Sequence, residues 1–161
     1  MRGGGETVMK TFETLRAVVD NAIGLHHHAA AIYRQLDQCV SDPRGRMLLA
    51  YMADHQGQME KHVGKVKQGA PESVLDTYIQ FTLEEAPLRF LENLLAEIDV
   101  PGADDISALG GRVDDYLVDL FDAAAQEVDT AKGAEFLREL AELEQLERKK
   151  LTRTIASMMD M

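Results

Sequence analysis

Phe12, Leu15, Val19, Ala22, His26, Ala29, Tyr33 and Leu36 follow one another at steps of three and four. That spacing places them on one stripe of an α-helix, which must bury the stripe against other elements. It predicts a helix from about Lys10 to Val40. Ser41-Asp42-Pro43 interrupts it and starts another. Asp42 is a good N-cap, and Pro43 suits the first helical position, where a missing N–H does no harm. The second helix runs to about Val66, with Leu49, Met52, Gln56, Met59, Val63 and Val66 on its stripe. So short a connection makes the two helices antiparallel neighbours.

The same reading predicts a third helix from about Asp105 to Asp129, with Asp114, Leu117, Phe121, Ala124 and Val128 in register. A fourth is expected from about Lys132 to Met159, carrying Leu137, Leu140, Glu144, Glu147 and Leu151, with Phe136, Leu143 and Leu146 beside them. Between the pairs, residues 68–104 are too apolar for a linker. Pro71-Glu72-Ser73 reads as the start of a short helix over Val74, Leu75, Tyr78, Ile79 and Phe81. After Pro87, another is expected over Leu88, Phe90, Leu91, Leu94, Leu95 and Ile98, closed by Pro101-Gly102. This crossover is expected either to cover the core or to form a dimer surface.

Sliding the sequence by 88 residues superposes its two halves without a gap. Tyr33 falls on Phe121, Gln38 on Gln126, Val40 on Val128, Gly45 on Gly133, Leu49 on Leu137, Met52 on Leu140 and Val63 on Leu151. A glycine shared by both interhelical turns favours true duplication over chance agreement of two amphipathic hairpins. The fold expected is all-α: a single domain with one hairpin over about 10–67, a helical crossover over 68–104, a second hairpin over 105–159, and a flexible tail at 1–9.

With these motifs in hand, the chain resembles the rubrerythrin branch of the ferritin-like superfamily, a four-helix bundle of two such hairpins. In that family each hairpin carries Ala-Ile-x-x-Glu-x-x-Ala-x-x-x-Tyr, followed by Leu-Ala-x-x-Glu-x-x-His. Here Ala22-Ile23-Gly24-Leu25-His26 through Tyr33 keeps the first spacing, with His26 at the glutamate position, and Met52-Ala53-Asp54-His55-Gln56-Gly57-Gln58-Met59 continues it, with Gln56 and Met59 at the Glu and His positions. The resemblance covers about residues 10–66 and 105–158 and leaves the crossover aside. It implies six ligands for two metals, which in this chain are His26, Gln56, Met59, Asp114, Glu144 and Glu147. Iron or manganese would suit an intact set of carboxylates and imidazoles. Gln56 cannot act as an anionic bridge, Met59 is a soft thioether, and Asp114 is one carbon shorter than glutamate.

Three readings of these positions stand open. In the favoured one, the metal site is lost: no metal and no catalytic residue remain, and the bundle serves a binding, structural or regulatory role. Gln56 and Met59 then fill the core, His26 bonds a carboxylate, and Glu144 and Glu147 reach solvent, Glu144 pairing with Arg148 four residues on. The alternative is a remnant one-metal site of His26, Asp114, Glu144 and Glu147 for iron, manganese or zinc, in an oxidoreductase or iron-handling protein. In the third, the core holds a small organic ligand or a partner segment. A buried His26 facing carboxylates would have a raised pKa and stay protonated, replacing the missing metal charge.

The remaining features narrow the field. In His26-His27-His28, neighbours point about 100° apart, so one faces the core and the others lie on its flanks. His55 and His62 read as solvated. Cys39, the single cysteine, excludes an internal disulfide, suits a reducing cytoplasm and is expected to be buried as a small apolar residue. A formal charge of −11 argues against nucleic acid and anionic membrane surfaces as partners. No apolar run approaches the roughly 20 residues needed to span a bilayer. Met1-Arg2-Gly3-Gly4-Gly5 lacks an apolar segment behind it, so no signal peptide is expected. A homodimer is the expected partner. There is no Gly-rich phosphate loop, no CxxC and no nucleophile triad.

Overall fold

The computed structural model describes residues 9–83, 85–96 and 102–161. These are mostly helical. Strand β1 (Met9–Thr14) leads into α1 (Leu15–Cys39), followed by α2 (Pro43–Gly69), α3 (Glu72–Leu75), β2 (Tyr78–Leu83), α4 (Pro87–Ala96), α5 (Ala103–Leu109), α6 (Arg112–Glu127) and α7 (Ala131–Met159). No described helix is long and apolar enough to cross a membrane.

The first hairpin forms as its stripes require. Asp20 meets Lys67 at 2.7 Å, His27 meets Glu60 at 3.2 Å, and Asp37 meets Arg46 at 3.3 Å. Numbering rises along α1 as it falls along α2, so the two are antiparallel. In the second hairpin Arg148 of α7 meets Asp115 of α6 at 2.6 Å, and Val128 lies against Gly133, giving the same sense. The hairpins face each other across one core that includes Leu15, Val19, Ala22, Leu49, Met52, Leu117, Phe121, Leu137 and Leu140.

The two interhelical turns are built alike. The Asp42 carboxylate accepts from Gly45 N at 3.3 Å, and the Thr130 hydroxyl accepts from Gly133 N at 3.1 Å, in positions 88 residues apart. Both glycines lie against the opposite half. A Cβ on Gly45 would stand 3.0 Å from Ile106, and one on Gly133 3.3 Å from Leu15 and 2.6 Å from the capping Thr130 oxygen. The shared turn glycine thus has a physical cause: each cap closes tightly and the other hairpin packs onto it.

No helix starts at Lys10, and none runs through Tyr78, Ile79 and Phe81. Residues 9–14 and 78–83 pair as an antiparallel two-stranded ribbon, with Phe12 opposite Gln80 and Thr14 opposite Tyr78. The segment Tyr78-Ile79-Gln80-Phe81 alternates, burying Ile79 and Phe81 while Tyr78 and Gln80 face out, a period of two rather than 3.6. Phe81 and Phe90 are therefore core, whereas Tyr78 is exposed and stacks on exposed Phe12 at 5.3 Å. Cys39 is exposed on the last turn of α1, not buried. The tail expected at 1–9 lies, apart from Met9, outside the described residues, as do Ile98 and Pro101.

The helix expected from Asp105 to Asp129 is broken by Gly110-Gly111 into α5 and α6. Gly111 has φ +89°, the left-handed region that glycine enters without penalty. A side chain there would also meet the Arg148 guanidinium at 3.3 Å. Gly111→Ala is expected to cost about 1–2 kcal/mol, the penalty for an L-residue held in that conformation. Urea unfolding against the parent protein checks this, and an unchanged midpoint would count against the strain argument.

Candidate metal centre

Each long helix sends one or two polar side chains into an otherwise apolar interior. His26 of α1 lies between Ala22 and Ala29, whose small side chains leave it room, and all three are fully buried. Glu144 of α7 continues the buried face of Leu137, Leu140 and Leu151 and is itself fully buried. Asp114 occupies the first turn of α6, where the unpaired N–H groups and the helix dipole favour a carboxylate. The Gly110-Gly111 break creates that helix start. Without it, Asp114 would sit mid-helix.

These groups form one hydrogen-bonded chain. Glu144 Oε2 lies 2.8 Å from His26 Nε2. His26 Nδ1–H donates to Gln56 Oε1 at 2.5 Å. The Gln56 amide N–H donates to Asp114 Oδ1 at 3.4 Å, and His55 Nε2–H donates to Asp114 Oδ2 at 2.7 Å. The Gln56 orientation follows from chemistry, because the reverse would set its carbonyl against the Asp114 carboxylate, acceptor against acceptor. Under the 88-residue shift, Glu144 on His26 and Gln56 on Asp114 are the same contact.

Burial works against a charged imidazole at His26. The Glu144 carboxylate beside it, the Asp114 charge and the bond to Gln56 outweigh that, and its pKa rises to about 9. Burial lifts the Glu144 carboxyl above the usual carboxylate range, with His26 pulling it back and Asp114 adding to the rise. The pair therefore holds a proton firmly, as the sequence led one to expect. Burial and the Asp114 charge also raise the nearby Tyr33 phenol.

The chain has a gap at one end. Glu144 Oε1 is buried and has no hydrogen-bond partner, the one such side-chain atom among the described residues. An orphaned buried oxygen costs about 1–3 kcal/mol unless something meets it. Donor atoms of His26, Asp114 and Glu144 all lie within 4.8 Å of one another, the spacing of a set able to share one cation.

Of the six positions implied by resemblance, the structure brings together His26, Gln56, Asp114 and Glu144. Met59 is buried but offers only its thioether. Glu147 is turned away, pairing with Lys150 at 3.1 Å, and Arg148 bonds Asp115 rather than Glu144. Glu144 does not reach solvent. His55, read as solvated, is instead buried on Asp114. Its signal was present: Leu48, Met52, His55, Met59 and Val63 form a stripe of their own. A two-metal centre does not fit this set, which lacks an anionic bridge from α2 and a sixth ligand from α7. One divalent ion fits better, because His26, Asp114 and Glu144 each offer a ligand atom within 4.8 Å of the others and Glu144 Oε1 has no hydrogen-bond partner. An open groove of about 580 Å³, floored by Val66, Val74 and Phe136 and edged by Lys65 and Lys132, contains none of these residues. No family model matches the chain, and neither a curated protein nor a solved structure matches it.

Proposed function

We propose that this chain is a ferritin-like four-helix bundle, arisen by duplication of a helical hairpin, that has given up two-metal redox chemistry. It binds a single divalent metal ion through His26, Asp114 and Glu144 and acts as a metal-binding or regulatory protein rather than an oxidase. The orphaned Glu144 Oε1, buried within a cluster of imidazole and carboxylate donors, carries this reading. The matched turns and matched contacts of the two halves support the duplication. One imidazole and two carboxylates suit manganese, ferrous iron or zinc, and the two negative charges balance a dication.

Protein without a histidine tag, stripped with chelator and dialysed against zinc or manganese, is expected to retain one ion per chain. Glu144→Gln, which keeps the side chain's size, should weaken binding at least about tenfold. A parent protein that retains no metal would leave the cluster as a charge network alone. A Glu144→Gln variant that binds as the parent does would place any metal elsewhere.

A further inference from the structure

Gln56 stands where the resemblance expects a bridging glutamate, and His55 occupies no ligand position at all. Yet both are buried, Gln56 bonding His26 and Asp114, and His55 bonding Asp114. Gln56 does two jobs with one amide. Its oxygen accepts a hydrogen bond from His26 Nδ1–H, so Nε2 is the ring nitrogen turned toward Glu144. Its N–H steadies one oxygen of Asp114. His55 steadies the other. Among the described residues Glu144 Oε1 is the one buried side-chain oxygen or nitrogen without a hydrogen-bond partner.

We propose that Gln56 and His55 are positioning residues for a one-ion site: Gln56 fixes the His26 tautomer and, with His55, the Asp114 carboxylate. This rests on the metal-binding reading above. A bridging carboxylate at position 56 would serve a second ion, whereas an amide contributes no charge and orients the ligands of the first. Outer groups of this kind set ligand direction and basicity, and losing one typically costs about 10–100-fold in metal affinity. A pre-aimed imidazole nitrogen also selects against magnesium and calcium, which prefer all-oxygen shells.

The test uses the full chain, with zinc affinity measured by chelator competition and cobalt(II) absorption reporting the ligand geometry. The parent should bind one ion, and millimolar magnesium should not displace it. Gln56→Met, similar in size but unable to make either bond, should lose about 10–100-fold in zinc affinity and alter the cobalt spectrum. His55→Leu should do the same, while His55→Gln, whose amide can replace the Nε2–H donor, should recover most of the affinity. Circular dichroism of the metal-free variants separates these effects from unfolding. Should Gln56→Met fail to fold, the His55 pair decides the matter from the edge of the core. If the parent binds but Gln56→Met and His55→Leu keep its affinity and spectrum, the positioning role is wrong and the one-ion site stands. If His55→Gln is as weak as His55→Leu, the hydrogen bond is not what matters. If the parent binds no metal, both inferences fall.

Discussion

His26→Leu should destabilise the metal-free protein at neutral pH by about 3–5 kcal/mol, because it leaves the fully buried Glu144 carboxylate without the one hydrogen-bond partner it has among the described residues. The cost lies in what remains rather than in what is removed. A carboxylate shut away from water must keep an uncompensated charge or take up a proton, and either choice lowers the stability of the folded state. Replacing both partners, as in His26→Leu with Glu144→Leu, removes the charges together. Buried pairs exchanged for apolar residues of similar volume are often neutral or stabilising by about 1–4 kcal/mol. The double variant should therefore regain much of what the single one lost, short of the roughly 1–3 kcal/mol for the buried Gln56 oxygen that loses its His26 donor in both, and it should bind no metal at the core. Equilibrium unfolding in urea measures both. A single variant as stable as the parent would mean that the pair is not the buried ion pair described here. The pattern expected, a cluster that costs stability and is nevertheless present, fits a group retained for binding.

The metal-free protein should also lose stability as the solution is made alkaline. His26 has a pKa of 6.5 in an unstructured chain and about 9 in the fold, so between those values the folded state binds the extra proton. Its contribution is fully present below about pH 6.5 and is lost as pH rises through about 9. At about 1.4 kcal/mol per unit, the whole step is about 3 kcal/mol. Glu144 is shifted in the same upward direction, so its share of the loss falls at lower pH, beginning near its ordinary value of 4.5. Unfolding midpoints at pH 6 and pH 9.5 in the presence of chelator give the comparison. His26→Leu should flatten the upper part of the profile. With saturating zinc the slope should weaken or reverse, since the ion takes the proton's place and binds more tightly as protons become scarce. A chelated protein equally stable at both values would contradict the raised His26 pKa.

The hairpins were legible in the sequence because each long helix carries its apolar residues at one period, and because Asp42-Pro43 and the two turn glycines mark the ends. The ribbon was not, although Tyr78-Ile79-Gln80-Phe81 alternates plainly. The nearby prolines and the helical flanks drew the reading toward period 3.6. The Gly110-Gly111 break had a local signal in the dipeptide itself, but the opposite half runs through the matching positions, Ala22 and Ile23, as continuous helix. Aligning the halves found His26, Asp114 and Glu144, since equivalent positions on equivalent helices must face the same interior. It misplaced Glu147, whose carboxylate pairs with Lys150 instead of joining the core cluster. It passed over His55, because a ligand pattern on α2 looks at Gln56 and Met59 and not at the neighbour turned toward α6.

The most direct test is an anomalous diffraction map from crystals of the chelator-stripped protein soaked in manganese or zinc. The expected result is one peak per chain, bonded to a ring nitrogen of His26 and to carboxylate oxygens of Asp114 and Glu144, including Glu144 Oε1. Two peaks in the core would restore a two-metal centre. An empty core, or a peak held only by surface groups such as His27 and Glu60, would contradict the one-ion site.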